Sequence, residues 1–554
     1  MVEVPITRTC DTLAAVTLAL LASASPAAAV PLSTYVEARA AEMDGDEARS
    51  ARLFATMATA DPKDRTIARR AIATAIQSGQ AELAISLAKA IPPDELPIDA
   101  RLMLAADSLR RGKDKEAVAA LEKGTTTTEV DLFAPLVKAW EQTARGKDEG
   151  VELLSQMSPA SPLASIANEQ KAAMLFALGK SDEALVFARK ALVQSGTGGR
   201  NTRLRLAYAD SLLGRKRQED ALTMLQGDDE ALEAARARVA AGRPLGMAME
   251  TPATGFAEML LALAIDLSRD DNKALPIALT QVARHANPAN SEATILLALL
   301  QDGDGRPNDA LALLGTVPAD DLLVGEALDV ETRILGDKGD YQQALSRAQL
   351  AVRSPGAGPH DFGRLANVLG DMERHTEAAA AYGEAIARTE RGSNAELWTL
   401  HLLRAASLEQ ADRWGEAKSE LEKAMKLEPE NALLLNFLGY GKLERGEDLD
   451  LAEAMIRKAS ALRPDDASIT DSLGWALFKR GRTGEAIETL TRAAAGDPAQ
   501  AEIHEHLGDA LFTAGRRIEA RFSWQAALLT AEDKVKSRLE RKLEIGLTSA
   551  TAAP

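Results

Sequence analysis

Residues 471–528 read DSLGWALFKRGRTGEAIETLTRAAAGDPAQAEIHEHLGDALFTAGRRIEARFSWQAAL and contain one pattern written twice. Leu473-Gly474 returns as Leu507-Gly508 after 34 residues, and in each copy a glycine and then an alanine follow at the same distances. A glycine between two stretches of helical periodicity predicts a turn between two helices. A period of about 34 residues is typical of solenoids that are built from helix-turn-helix units.

The same period continues through most of the chain. Fourteen small or apolar residues mark it, and they are Ser50, Ala84, Ala117, Val151, Ala184, Ala221, Pro276, Ala310, Ala344, Ala378, Ala417, Ala452, Ala486 and Ala520. Nearly all steps between neighbours measure 33–37 residues, but 55 residues separate Ala221 from Pro276 and 39 separate Ala378 from Ala417. Because 554 residues exceed what one hydrophobic core holds, we expect a stacked array of units.

The residues that occupy fixed places in each unit indicate the type of repeat. They are Leu473, Gly474, Leu477, Ala486, Leu490, Ala493 and Pro498 in one unit, and Leu507, Gly508, Leu511, Ala520, Trp524 and Ala527 in the next. These positions resemble the tetratricopeptide repeat (TPR) pattern, and the resemblance covers residues 33–530. It implies an all-α fold, a right-handed α-solenoid (superhelix) of about 14 TPR-like helix-turn-helix units with a C-terminal capping helix. It also implies a concave groove that binds proteins or peptides.

Composition and the irregular steps divide the chain into segments. Residues 242–255 (GRPLGMAMETPATG) combine glycine and proline without a helical period, which predicts a loop or hinge. We therefore expect an N-terminal TPR array at 33–241 and a C-terminal TPR array at 256–530. Residues 531–547 predict an amphipathic helix that caps the last unit, and residues 548–554 predict a disordered tail.

The first 29 residues predict a secretory signal peptide. Arg8 precedes the apolar run from Leu13 to Leu21, which is too short to span a bilayer, and Ala27-Ala28-Ala29 offers small residues for cleavage. We therefore expect export to the periplasm with cleavage near Ala29. Cys10 lies before the apolar run and does not fit a lipoprotein anchor, so outer-membrane association stays open. The alternative is an uncleaved N-terminal helix in a cytoplasmic TPR assembly or regulatory subunit.

Charge and motifs argue against catalysis and against nucleic acid binding. The formal charge of −17 repels phosphate backbones and anionic lipid surfaces. The sequence contains no phosphate-binding loop, nucleophile elbow or zinc-protease motif. His504 and His506 are two positions apart on a predicted helix, so their side chains point about 200° apart and cannot share a metal ion. We expect no enzyme activity, cofactor, metal site or stable membrane insertion.

The TPR resemblance also implies which residues face the groove, at two before, two after and five after the leucine of each Leu-Gly pair. In the last three units these are Asn436, Tyr440, Leu443, Asp471, Trp475, Phe478, Glu505, Asp509 and Phe512. The four aromatic residues of this set, edged by acids, would form a ladder that favours a basic or apolar segment of a partner. The alternative is that Trp475 and Phe478 pack against the capping helix.

The C-terminal stretch also resembles a narrower group, the proteobacterial cell-envelope TPR adaptor and scaffold proteins. Asp471, Trp475, His506 and Trp524 are among the residues that carry this resemblance. The group includes an outer-membrane lipoprotein adaptor for a carboxyl-terminal processing protease that degrades peptidoglycan hydrolases. The resemblance implies exported or cell-envelope partners, such a protease or such hydrolases among them. This chain departs from that adaptor because it lacks the cysteine of a lipoprotein signal.

Overall fold

The computed structural model describes residues 32–122, 130–157, 161–269, 272–354, 356–389 and 394–553. The predicted signal peptide, residues 1–29, lies outside this part of the chain. All regular secondary structure in the described part is helical. The α-helices are α1 (Leu32–Met43), α2 (Glu47–Ala60), α3 (Arg65–Gln77), α4 (Ala81–Lys89), α5 (Ile98–Arg110), α6 (Asp114–Glu122), α7 (Val130–Ala144), α8 (Glu149–Ser155), α9 (Ala167–Ala177), α10 (Ser181–Gln194), α11 (Gly199–Gly214), α12 (Gln218–Met224), α13 (Glu230–Ala240), α14 (Pro252–Leu267), α15 (Ala274–Ala286), α16 (Ser291–Gly303), α17 (Pro307–Leu314), α18 (Val324–Asp337), α19 (Tyr341–Val352), α20 (Pro359–Asp371), α21 (His375–Arg388), α22 (Asn394–Gln410), α23 (Trp414–Leu427), α24 (Ala432–Glu444), α25 (Leu449–Leu462), α26 (Ala467–Lys479), α27 (Thr483–Gly496), α28 (Ala501–Thr513), α29 (Arg517–Thr530) and α30 (Asp533–Ile545).

Caps and turns place the ends of the C-terminal helices. The side chain of Asn431 accepts from the backbone N–H of Leu433 at the start of α24, and Asp466 does the same for Ile469 at the start of α26. Gly481 follows α26 with φ +74°, a left-handed conformation that glycine adopts without steric cost. Pro498 stands just past the end of α27, where it prevents the helix from continuing. The sequence therefore sets the length of each helix locally.

The fourteen marker residues all lie in the second helix of a helix pair, from α2 in the first pair to α29 in the last. Thirteen of them are buried, and Val151 is the exception because it is only half-buried. The small residue of that pair is Gly150, where an added Cβ would come within 2.3 Å of the backbone oxygen of Ala139. The sequence assignment of Val151 is thus wrong by one residue, and the correction makes the steps on either side 33 and 34.

Close approach between the two helices of a pair defines the packing in the last units. A Cβ added at Gly474 would lie 2.5 Å from Cγ of Leu490, and one added at Gly508 would lie 2.3 Å from Nε1 of Trp524. Real Cβ atoms do not come so close, so only glycine fits these two positions at the observed helix separation.

Contacts between helices divide the described chain into two units. The first comprises residues 32–225 and 238–316, and the second comprises residues 226–237 and 317–553. This division differs from the predicted one, which separated an array at 33–241 from an array at 256–530 through a hinge at 242–255. Residues 252–255 belong to α14, and the carboxylate of Asp210 accepts from the backbone N–H groups of Met247 and Ala248 at 2.7 and 2.9 Å. The expected hinge is therefore a fixed connection inside the first unit.

In the first unit the chain covers its own first helices. α14 packs against α5 and α7, and α15 packs against α3 and α5. The side-chain amide of Gln281 on α15 donates to the backbone carbonyl of Gln77 at 3.1 Å. The 55-residue step between Ala221 and Pro276 contains the chain that brings α14 and α15 back to these helices. An insertion in the repeat lattice thus becomes part of the core of this unit.

A buried charge network joins four helices of the first unit. Arg200 and Arg203 on α11 contact Glu169 on α9, Glu258 on α14 and Glu292 on α16, with Arg203 2.7 Å from Glu258 and Arg200 3.0 Å from Glu292. Burial raises the pKa of Glu169 to about 7, against the opposing effect of Arg200. A proton on Glu169 leaves two arginines and two carboxylates, so the network is then neutral.

The second unit stacks six helix pairs, from α18–α19 to α28–α29, and α30 packs on the last of them. Residues 548–554, predicted as a disordered tail, are ordered and packed as far as Ala553. The buried hydroxyl of Thr551 donates to the carbonyl of Gly546 at 3.0 Å, and the backbone N–H of Ala553 donates to the carboxylate of Asp509 at 3.1 Å. The tail packs because a buried carboxylate at the end of the stack accepts its backbone N–H.

We expect Gly474→Ala to destabilise the second unit by about 1–3 kcal/mol, because the new methyl group overlaps Leu490. Gly484→Ala is the matched control in the same pair, since open space surrounds that glycine on α27. It should stabilise by up to about 1 kcal/mol through helix propensity. Urea unfolding followed by circular dichroism measures both changes. Equal midpoints for the two variants would show that the helices do not approach closely at Gly474.

Candidate functional site

The candidate site lies in the second unit, on the first helices of its last four pairs. These are α22, α24, α26 and α28, and α24 contacts α26, which in turn contacts α28. Each of them is held by its own second helix, through Gly439, Gly474 and Gly508 in the last three pairs. Side chains at equivalent positions of successive first helices therefore lie side by side.

The nine residues predicted to face the groove are less exposed than the sequence suggests. Five are buried, namely Leu443, Asp471, Trp475, Glu505 and Asp509, and four are half-buried, namely Asn436, Tyr440, Phe478 and Phe512. An exposed aromatic ladder is therefore absent from these positions, and the reasons differ between the aromatic and the acidic members.

Trp475 is an internal packing residue. Its ring stacks on His506 with centroids 4.0 Å apart and on Phe478 with centroids 5.0 Å apart. The indole N–H donates to the carboxylate of Glu444 at 3.0 Å. The neighbouring repeat covers this tryptophan, so the direct stacking partner is the next first helix and not the capping helix that the alternative named.

Glu505 and Asp509 are used by the capping helix. Arg538 donates through two nitrogens to the two oxygens of Glu505, each at 2.7 Å, and Nζ of Lys542 lies 2.7 Å from both Glu505 and Asp509. Trp524 donates to the same Asp509 carboxylate at 2.9 Å. The two acids that the pattern assigned to a ligand thus bind residues of this chain itself.

One concave space remains open among the four first helices, and we call it the C-terminal pocket. Its volume is about 160 Å³, and it is lined by Glu409, Asn436, Phe437, Tyr440, Gly441, Ser468, Asp471, Ser472, Gln500 and Glu502. Three predicted residues, Asn436, Tyr440 and Asp471, line it. The others of the predicted nine do not.

Acidic and hydrogen-bond-accepting groups dominate the C-terminal pocket. The Asp471 carboxylate contacts Nδ1 of the buried His506 at 2.9 Å, and Glu409 pairs with Arg445 at 3.1 Å. Burial raises the pKa of Tyr440, and the carboxylates of Glu444, Glu502 and Asp471 add to the effect.

Histidine 506 and Glu502 form the C-terminal side of this pocket's electrostatics. Burial opposes the charged form of His506, but the carboxylates of Asp471, Glu502 and Asp509 outweigh that effect and raise the pKa of the ring. Partial loss of hydration raises the pKa of Glu502, and nearby Asp471, Glu505 and Glu444 raise it further, although His506 opposes them. Even so, 57% of the Glu502 side chain is exposed, which places this carboxylate at the mouth.

The sequence pattern missed several lining residues that a wider reading of the same helix face finds. Ser468 and Glu502 lie five residues before the leucine of their Leu-Gly pairs, which is about one turn before the positions that were assigned. Glu409 was missed because α22 carries no Leu-Gly pair that would fix its register. Phe437 is adjacent in sequence to an assigned residue but lies on the flank of the helix.

The described residues contain neither a cluster of three or more His, Cys, Asp or Glu that could hold a metal ion nor a helix that meets the length and hydropathy needed to cross a membrane. The polar groups at the C-terminal pocket form static ion pairs and hydrogen bonds. Chemically, this arrangement offers acceptors and negative charge to a bound group.

Comparison with known proteins identifies the repeat. The sequence model of the TPR repeat matches residues 474–515, within the stretch that contains α26 to α28. Among solved structures, the anaphase-promoting complex hetero-tetramer Cut9–Hcn1 is 15% identical over 93% of this chain and 96% of its own, with a TM-score of 0.37. A tetratricopeptide repeat protein of Parabacteroides merdae ATCC 43184 is 15% identical over 46% of this chain and 98% of its own, with a TM-score of 0.38.

YrrB, described as a TPR protein with an unusual peptide-binding site, is 21% identical over 35% of this chain and 98% of its own, with a TM-score of 0.27. No curated protein matches the sequence. The repeat match and the paired helices agree with the predicted fold class, an all-α solenoid of TPR-type units.

We expect Lys542→Met to destabilise the second unit by about 3–5 kcal/mol, because it leaves the buried carboxylates of Glu505 and Asp509 without their shared cation. Lys536→Met on the same helix is the matched control and should leave stability unchanged, since its partner Asp533 is exposed. Urea unfolding followed by tryptophan fluorescence measures both. A loss of the same size in the two variants would contradict the role of Lys542 at the end of the stack.

Proposed function

We propose that this chain, a tetratricopeptide repeat protein, is a non-catalytic scaffold that binds a segment of a partner protein at the C-terminal pocket. TPR proteins are generally protein-interaction scaffolds, and their stacked units present extended concave binding surfaces. The observation that carries the proposal is the pocket itself, to which four successive first helices contribute side chains. A space shared by several repeats suits an extended segment that runs across them.

The surroundings of the pocket support a binding role over a catalytic one. Asp471 is held by His506, Glu444 accepts from Trp475, and Glu409 pairs with Arg445, so these acids are fixed by residues of the chain. Fixed charges on rigid helices favour the selection of a partner by electrostatic complementarity. We therefore assign the site to recognition.

For the partner and the compartment we propose the periplasm and exported or cell-envelope proteins. The apolar run from Leu13 to Leu21 and the small residues ending at Ala29 support export. The likeness of residues 471–528 to envelope adaptors favours a carboxyl-terminal processing protease or a peptidoglycan hydrolase as the protein that is recruited. The second candidate is a cytoplasmic assembly subunit that keeps its N-terminal segment.

A photo-crosslinking residue tests the binding site. We expect p-benzoylphenylalanine at Ser468, an exposed residue at the pocket, to form a covalent adduct with a partner in cells, because a bound segment would pass within reach. The same residue at Glu488, which is exposed on the second helix α27 of that pair, is the matched control and should form no such adduct. Adducts from Glu488 alone, or identical adducts from both sites, would contradict the proposal.

The mature N-terminus tests the compartment. We expect mass spectrometry of the protein purified from its native cell to find a start at Val30 and the protein to fractionate with the periplasm, because signal peptidase cleaves after small residues. An intact Met1 in the cytoplasmic fraction would support the second candidate instead.

A further inference from the structure

The C-terminal pocket contains a buried acceptor that the chain itself leaves without a donor. Oδ1 of Asn436 lies out of contact with solvent and has no hydrogen-bond partner among the described residues. Buried polar atoms of native proteins are nearly always hydrogen-bonded, and an unpaired one costs free energy. An N–H donor from outside the chain would remove this cost.

The charges that face the pocket are unbalanced in the same sense. Glu409 pairs with Arg445, and Asp471 is held by His506, which is also the nearest cation to Glu502 at 4.0 Å. Glu502 therefore has no lysine or arginine partner within ion-pair distance in the described chain, although it stands at the mouth of the pocket. A positive group brought to this place would gain attraction from a carboxylate that no other strong cation neutralises.

The walls and the size of the pocket restrict what this positive group is. Phe437 and Tyr440 contribute aromatic rings, whose faces attract cations. A volume of about 160 Å³ is far below the 300–1,000 Å³ that is typical of small-molecule sites, but it holds the end of one long side chain. Acceptor, charge and walls thus point to a single cationic head group on an apolar stem.

We propose that the C-terminal pocket binds the cationic side chain, arginine or lysine, of the partner segment. The head group would donate to Asn436 and pair with Glu502, while its stem lies against Phe437 and Tyr440. This proposal rests on the proposed function, because it names the chemistry by which the groove recognises its partner. It also separates this site from carboxylate-binding sites, which need cations and not acids around the ligand.

Matched peptides test the recognition. Fluorescent nonapeptides with a Gly-Ser backbone and one central arginine, lysine, citrulline or glutamate are titrated against the full chain by fluorescence polarisation. Citrulline keeps the shape of arginine and removes the charge. We expect the arginine or the lysine peptide to bind at least about tenfold more tightly than the citrulline and glutamate peptides, and the tighter of the two identifies the head group. Equal affinity for arginine and citrulline, with lysine no tighter, would overturn the proposal.

Protein variants locate the effect. Glu502→Gln should weaken the favoured cationic peptide about fivefold or more and leave the citrulline peptide unchanged, whereas Glu488→Gln makes the same charge change on α27 and should alter neither. Ser468→Cys in a Cys10→Ser background should react with a thiol reagent, and the cationic peptide should slow that reaction. Cationic binding that survives Glu502→Gln and leaves the thiol unprotected would refute the assignment to this pocket.

The two proposals fail in different ways. If crosslinking at Ser468 captures a partner while arginine, lysine and citrulline peptides bind alike, the scaffold function stands and the cationic pocket is refuted. If the cationic peptide binds but no partner is captured at Ser468, the pocket stands and the scaffold function loses its support.

Discussion

The structure depends on the contact between the two helices of each pair at one small residue. Where that residue is glycine, as at Gly474 and Gly508, the partner helix supplies a large side chain that occupies the missing Cβ position. The contact fixes the distance between the helices of a pair, and the repeat of about 34 residues makes the same contact return. First helices then lie beside one another, which is the condition for any shared concave surface.

A stack of this kind leaves its first helices uncovered, and this chain covers much of them itself. In the first unit α14 and α15 pack on α3, α5 and α7. In the second unit Lys542 and Arg538 of α30 neutralise Glu505 and Asp509, and Asp509 also holds the tail through Ala553. The open C-terminal pocket is therefore what remains after the chain has used its own segments, and this makes its unpaired groups informative.

The parts of the fold that follow a period were predictable, and the parts that depend on single contacts were not. The lattice placed fourteen markers in second helices, and it missed by one residue at Val151, because glycine and valine stand side by side and only packing tells which one faces the partner helix. The positions of Asp471, Glu505 and Trp475 on the correct helix face were predictable from the repeat. Their burial was not, since it depends on His506 and Lys542, two residues that lie outside the repeat pattern.

The acids of the last units show why spacing alone does not identify a ligand site. Asp471, Glu505 and Asp509 stand on equivalent faces of neighbouring helices, yet each is joined to a cation or to the histidine of its own chain. Such pairs connect one repeat to the next, and removal of one partner would leave a buried charge. Glu502 differs because its carboxylate is exposed beside an unpaired amide oxygen of Asn436. A carboxylate that the fold does not use for its own cohesion is available for recognition, and this distinction depends on the neighbours of each acid and not on its place in the repeat.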